Sequence, residues 1–188
     1  MKRAVFLVVV VVALLTGAVS AGAQFRVDLD VNMPVYFGYS LNGSAAGAWN
    51  QYFIPVPDAR FAWQFGRGLI DGGIGVRWFT FIIENFLYPE GYVELNLGPF
   101  TFSLNVGGFA FLEFGLLSSV LSDAGINNLT GFHTVILPDV NVAWRVASWF
   151  RIGAGVFMIA PFGSGIGGVL DNFVYSGYIN FRFVIMTR

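Results

Sequence analysis

The sequence contains no cysteine and little charge. Charged residues make up 11 % of the 188 residues and the formal net charge is −1, so nothing indicates a nucleic-acid partner. Without cysteine there is no disulfide, no thiol chemistry and no acylated cysteine anchor. After residue 23 no apolar run approaches the roughly 20 residues of a membrane-spanning helix. Yet 56 % of the chain is hydrophobic and 18 % is aromatic, and this apolar surface must be placed somewhere out of water.

The residue types that serve in catalysis and metal binding are also scarce. His133 is the only histidine, and no group of histidine and carboxylate residues has the spacing of metal ligands. The glycine-rich stretch "GSGIGG" at 163–168 follows no phosphate-loop pattern. We therefore predict that the protein is not an enzyme and holds neither a cofactor nor a metal ion.

The first 23 residues have the pattern of a secretory signal peptide. Lys2 and Arg3 precede an apolar segment from Ala4 to Leu15, and "AGA" at 21–23 is a small-residue cleavage site. "VSA" at 19–21 is a second possible site, and an uncleaved anchor helix is the alternative. We expect residues 1–23 to be removed and residues 24–188 to form one exported domain.

The mature chain alternates between apolar and polar residues. In "FRVDLDVNMPVYFGY", from Phe25 to Tyr39, every odd position is apolar or aromatic, and the even positions begin with Arg26, Asp28 and Asp30. This period of two predicts β-strands with one apolar and one polar face. The pattern predicts eight strands, at 25–39, 60–69, 73–81, 91–98, 100–111, 135–146, 150–159 and 173–185.

The predicted connections alternate between long and short. The short ones lie near Asp71-Gly72, Gly98-Pro99 and Ala147-Ser148. The long ones span 41–58, 82–90, 112–133 and 160–172. Bacterial outer-membrane barrels have short periplasmic turns, long outer loops and an even number of strands. The sequence therefore predicts an all-β fold, an eight-stranded antiparallel up-and-down transmembrane β-barrel, preceded by a cleaved signal peptide.

The polar faces of these strands predict what fills the barrel. A small barrel has an interior that side chains can fill, and charges removed from water need partners. We expect a paired charge network in the lumen, and Arg suits it better than Lys, which is absent after Lys2. The predicted network residues are Arg26, Asp28, Asp30, Arg77, Glu94, Asp139, Arg145, Arg151 and Arg182.

The opposite faces are then expected to contact lipid, with Val142, Trp144 and Phe181 as examples. Pro34 inside the first strand and Arg67 on an apolar face depart from this pattern, and each predicts a bulge or a strand end nearby. The alternative is a soluble lipocalin-like barrel or sandwich, with the apolar face inward and the charges in water.

The stretch "VNVAWRVASWFRIGAGVF", Val140 to Phe157, resembles the small eight-stranded outer-membrane β-barrel superfamily, which includes the OmpA transmembrane domain, OmpX and OmpW. It has a strand, a tight turn and an arginine-containing strand with Gly-x-Gly. "LPDV", Leu137 to Val140, is similar to the Leu-Pro of the corresponding OmpW strand. Such barrels usually end in an aromatic residue, whereas the last aromatic here is Phe183. The resemblance implies a location in the outer membrane of a diderm bacterium and assembly by its insertion machinery.

The predicted outer loops are unusually apolar. "GLLSSVLSDAG" at 115–125 has apolar residues at helical spacing with Gly125 as a C-cap. These segments contact lipid head groups and one another, or they form a site for a hydrophobic ligand or partner, as the OmpW resemblance implies. The candidate loop residues are Leu116, Leu117, Val120, Leu121, Trp49 and Phe53.

These features together predict an outer-membrane barrel with a plugged polar lumen and a structural or surface-interaction role. The alternative function is a narrow channel or lateral conduit for small hydrophobic molecules. A soluble periplasmic binding barrel is a further alternative. The expected partners are outer-membrane lipid, the assembly machinery and a small hydrophobic ligand or a surface partner.

Overall fold

The structure, a computed structural model, describes residues 24–42, 44–66, 68–81, 83–116, 130–162 and 172–186. The predicted signal peptide lies outside this part of the chain. The described residues form nine strands, β1 (Gln24–Leu41), β2 (Ser44–Trp49), β3 (Val56–Phe65), β4 (Ile70–Phe81), β5 (Glu84–Leu97), β6 (Phe100–Gly115), β7 (Gly131–Ala147), β8 (Phe150–Pro161) and β9 (Asn172–Met186).

Antiparallel pairing closes these strands into a barrel. From β3 to β9 each strand pairs with the next, and β9 pairs with β1 along almost the whole length of β1. β2 and β3 share the second position, because β3 pairs with the first half of β1 and β2 with its second half. The molecule is therefore a closed eight-stranded antiparallel β-barrel, and the predicted fold class is confirmed.

Burial is inverted relative to a soluble protein. Along β6 the buried residues include Thr101, Ser103 and Asn105, whereas Phe102 and Leu104 between them are exposed. Charged residues such as Arg26 are 1 % exposed, while Leu104 is 51 % exposed. The apolar face is thus outside, so the alternative of a soluble barrel with its apolar face inward is wrong.

Aromatic side chains mark two heights on the outer surface. Near the end that holds Gln24 and Met186, called the inner end, the rings of Phe25 and Trp63 lie 5.0 Å apart and those of Trp149 and Phe183 6.0 Å apart. Towards the opposite, outer end, two further aromatic pairs are Trp78 with Phe114 and Phe109 with Phe162. Two aromatic girdles around an apolar band are typical of barrels that span the outer membrane.

Two of the three predicted inner turns are confirmed. Leu97 pairs with Phe100, so the first turn is Gly98-Pro99 as predicted. Ala147 pairs with Phe150, so the second turn is 148–149, one residue later than predicted. The turn predicted at Asp71-Gly72 is wrong, because both residues lie in β4 and the connection is 66–69. Gly66 and Gly68 have φ of 79° and 140°, which favours glycine at both positions. The Asp71 carboxylate instead accepts a hydrogen bond from the Gly68 N–H at 3.0 Å and supports the turn from the strand.

The outer connections are shorter than predicted. β4 and β5 remain paired up to Phe81 and Glu84, so 82–90 is not a long loop. β1 and β2 pair up to Leu41 and Ser44, so within 41–58 only residues 42–43 and 50–55 lie between strands. The strands are longer than the segments with alternating apolar and polar residues, because backbone pairing does not require that alternation. The "SAAGAW" of β2, for example, shows no such alternation. The connections predicted at 112–133 and 160–172 are described only in part, because residues 117–129 and 163–171 lie outside the described residues. The flanking strands are longer than predicted: β6 reaches Gly115, β7 begins at Gly131 and β8 reaches Pro161.

Pro34 lies at a β-bulge, as its position in the sequence pattern predicted. The register of β1 against β9 shifts between Pro34 and Tyr36, which accommodates a residue without a backbone donor. An extra residue reverses the alternation beyond it. Phe37, an odd position, therefore lines the lumen together with Asn32. Arg67 lies outside the described residues.

The inverted faces predict how arginine substitutions on β7 behave. Val140→Arg should destabilise the folded barrel by about 2–4 kcal/mol, because it places a charge near the middle of the lipid-facing band. The control Val146→Arg, on the same face next to the inner turn, should lower the free energy of unfolding by only about 0–1 kcal/mol. Urea unfolding in lipid vesicles measures both. Equal effects of the two substitutions would contradict this placement of the membrane.

Candidate functional site

Charged side chains meet in the lumen around Arg26. Its Nε donates to Asp28 Oδ1 at 2.7 Å, and its terminal nitrogens donate to both oxygens of Glu94 at 2.7 and 2.8 Å. Asp28 and Glu94 are completely buried. This bidentate pair joins β1 to β5, and its two residues are 68 positions apart in the sequence. Such charge-assisted pairs are both strong and specific in geometry.

A second centre lies further towards the outer end. Arg77 pairs with Asp58, with Glu90 at 3.0 Å and with Asp139 at 2.7 Å. Arg60 connects the two centres, because it pairs with Asp28 and, at 3.4 Å, with Glu90. Arg60 Nη1 also donates to Asn105 Oδ1 of β6 at 2.8 Å.

Two more arginines complete the cluster. Arg151 pairs with Glu94 at 3.1 Å, and Arg182 pairs with Asp30 at 2.8 Å and approaches Glu94 to 3.7 Å. None of the members is more than 5 % exposed. We call this set of five arginines and six carboxylates the lumen network. Its members are Arg26, Asp28, Asp30, Asp58, Arg60, Arg77, Glu90, Glu94, Asp139, Arg151 and Arg182.

Tyrosine rings fill the space around the network, and glycines on facing strands make room for them. The Arg60 guanidinium lies 4.1 Å from the centre of the Tyr92 ring, and Tyr178 Oη donates to Asp139 at 2.5 Å. A Cβ at Gly73 would lie 2.5 Å from the Tyr92 ring, and one at Gly155 would lie 2.6 Å from Tyr178 Oη. The glycines on the polar faces are therefore part of the packing of the lumen.

The structure brings eight of the nine predicted residues into the lumen network. The expectation for Arg145 needs correction. Arg145 lies two residues from the end of β7, is only partly buried, and donates to the Gly98 carbonyl of the neighbouring turn. It shares the inward alternation of the other arginines, but it lies at the rim, where no network carboxylate is within reach.

Three members of the network were missed by sequence reasoning. Asp58 and Glu90 fell in segments that the sequence pattern assigned to long loops, and Arg60 was the first residue of a predicted strand. All three share the alternation of the other buried residues on their strands, such as Gln64 on β3 and Glu94 on β5. To predict Asp58 and Glu90 as network members, one would have had to know that both residues pair with β4, at Phe79 and Gly75.

The outer half of the lumen is mainly aromatic, although Glu84 and Glu113 near the outer end are also buried. A cavity of about 330 Å³ and an adjoining one of about 200 Å³ share Phe79, Phe157 and Ile159 as lining residues. The rings of Phe79 and Phe157 stack 5.8 Å apart, and Phe111 lies 6.0 Å from His133. Sequence reasoning missed this apolar lining, although Phe79 and Phe157 follow the inward alternation of Arg77 and Gly155.

The predicted apolar loop site is described only in part. Trp49, Phe53 and Leu116 are exposed by 75 %, 66 % and 63 %. Leu117, Val120 and Leu121, together with the predicted helix at 115–125 beyond Leu116, lie outside the described residues. Within the part of the chain that the structure describes, no three histidine or carboxylate side chains could hold a metal ion, and no helix is long and apolar enough to cross a membrane.

A closed barrel of eight antiparallel strands with a charged interior, an apolar exterior and two aromatic girdles belongs to the small outer-membrane type. The crystal structure of Neisserial surface protein A aligns with 85 % of this chain and 96 % of that chain, at 10 % sequence identity and a TM-score of 0.41. That of Ail, the attachment invasion locus protein of Yersinia pestis, aligns with 87 % and 99 %, at 9 % identity and a TM-score of 0.29. No family model and no curated protein matches the sequence. The assignment to this type therefore depends on the strand pairing and burial of the chain itself.

The contacts of Glu94 predict a large loss of stability when its charge is removed. Glu94→Gln should lower the free energy of unfolding by about 3–5 kcal/mol, because it leaves buried Arg151 without a carboxylate partner and Arg26 with Asp28 alone. Arg145→Ala, the control at the rim, should cost about 1 kcal/mol, since one hydrogen bond to a carbonyl is lost. Denaturant unfolding followed by tryptophan fluorescence measures both. A Glu94→Gln barrel as stable as the wild type would mean that the lumen charges are individually hydrated.

Proposed function

We propose that this protein is a plugged outer-membrane barrel that conducts no solutes and acts at its outer end, in surface interaction or in envelope structure. The lumen network is the observation that carries this proposal. Its charged members come from seven of the eight barrel positions, and Asn105 of β6 supplies the eighth. A solute crossing the lumen would have to separate buried ion pairs, each of which is strongly destabilised when one partner is lost.

The length of the strands supports a role at the outer end. A tilted strand of about 9–11 residues crosses the membrane, whereas β1 has 18 residues and β6 has 16. On β1 the surplus leads into the paired β1–β2 hairpin at the outer end. The side chains of Trp49, Tyr52 and Phe53 on and after this hairpin are exposed.

Conductance tests the plug directly. The purified mature barrel in a planar bilayer should show no steady conductance, because its interior is filled by paired side chains. A sixteen-stranded porin reconstituted in the same way provides the positive control, since barrels of that size leave an aqueous channel. A large, steady conductance from the protein would overturn the plug and support the channel alternative.

The aromatic cavities favour a second candidate function, the binding of a small hydrophobic molecule in the outer half of the lumen. The two cavities are lined mainly by aromatic and aliphatic side chains, and Arg77 and Tyr178 line the smaller one. A pocket of this composition, closed below by the network, suits an apolar ligand that enters from the outer end or through the wall.

Fluorescence of 1-N-phenylnaphthylamine, an apolar dye that brightens out of water, tests this second function. Phe79→Ser should weaken dye binding about tenfold, because an aromatic wall of the cavity is lost. The control Phe102→Ser replaces a lipid-facing ring and should leave binding unchanged. Deletion of residues 116–121 examines the predicted loop site in the same assay, and loss of binding only in that deletion would place the ligand in the loop. No specific binding by the wild type would exclude both sites.

A further inference from the structure

Strand β2 has one paired edge and one free edge. Six residue pairs, from Tyr36–Trp49 to Leu41–Ser44, join it to β1. In the described part of the chain no strand pairs with its other edge, and all six of its residues are exposed. A row of backbone N–H and C=O groups is therefore open to a further strand.

The hydrogen bonds identify which residues face the free edge. The Asn50 N–H donates to the Val35 carbonyl at 2.8 Å, so these two residues form a hydrogen-bonded pair. Such pairs alternate along an antiparallel ladder. Residues 44, 46 and 48 consequently bond to β1, and Ala45, Gly47 and Trp49 direct their N–H and C=O groups to the free edge.

The space beside this edge is a notch in the barrel wall. β4 pairs with β3 only from Phe65 to Asp58, and it turns back into β5 after Phe81. β4 therefore does not continue alongside β2, although β2 prolongs the position of β3. An added strand would occupy the place that a longer β4 would have filled.

The composition of this region fits pairing with an uncharged segment. Residues 31–57 contain no charged side chain. Natural edge strands are usually protected by lysine, proline or a bulge, and β2 has none of these along its six residues. Its alanines and glycine also let another backbone approach closely, while Trp49, packed on Tyr36 at 5.4 Å, provides an aromatic surface at one end.

We propose that the free edge of β2 binds an extended, uncharged segment of a partner protein, which adds to the barrel wall as one further strand. This inference rests on the proposed role of the outer end. Backbone hydrogen bonds would provide the affinity, as in other cases of strand addition. The segment would pair over about six residues, the length of β2.

The test uses the mature barrel in lipid nanodiscs and a labelled, end-capped octapeptide of alternating threonine and valine on a glycine–serine tail. The wild type should bind this peptide, and the same peptide with every backbone N–H methylated should not bind, because the donors of both edges are removed. Ala45→Pro should weaken binding at least tenfold, since it removes a donor from the free edge and leaves the bonds to β1 in place. The matched control Ala45→Val keeps the N–H and should bind within twofold of the wild type.

Heat-modifiable migration on a gel checks that each variant is a folded barrel. Equal binding to wild type and Ala45→Pro, or equal binding of the methylated peptide, would overturn the proposal. The proposal would also be overturned if the wild type bound no peptide and instead formed dimers that the Ala45→Pro substitution dissociates. The free edge of β2 would then join two copies of this chain. Any of these outcomes leaves the conductance result unchanged, so failure of the docking edge is distinguishable from failure of the plug.

Discussion

Charge pairing inside a closed barrel is the constraint on which the rest of this structure depends. Five arginines and six carboxylates lie in a space too narrow to hydrate them separately, so each needs an opposite charge from another strand. This demand sets the register of the strands, because a slip of one residue would turn the inward side chains of a whole strand to lipid. It also explains the inward glycines, which make room for the tyrosine rings that pack against the guanidinium groups.

The barrel changes character along its axis. The network occupies the inner half and the middle, the aromatic cavities follow, and the β1–β2 hairpin extends beyond them. On β1 the bulge at Pro34 lies at this transition. Before the bulge the even-numbered residues Asp30 and Asn32 face the lumen, and after it the odd-numbered Phe37 does. One residue without a backbone donor thus coincides with the change from a polar to an apolar lumen.

This division assigns different properties to different parts of the molecule. The network joins strands across the lumen through buried ion pairs, and in the proposed function it is the part that plugs the barrel. The outer half contains fewer buried charges, among them Glu84 and Glu113, and the proposed interactions would use its side chains and strand edges. Under the proposed function, stability and interaction would depend on separate groups of residues, and one could be altered without the other.

The sequence by itself determined which face of each strand is polar, and from this the eight-stranded barrel and eight members of the network could be predicted. Alternation carries this information because side chains along a strand point to opposite faces with a period of two. It does not contain the height of a residue in the barrel or the identity of its neighbour across the lumen. Arg145 and Arg151 are equivalent by alternation, yet one lies at the rim and the other on Glu94. Asp58, Glu90 and the free edge of β2 became visible only in the tertiary structure, because strand stagger and barrel closure decide which distant residues meet.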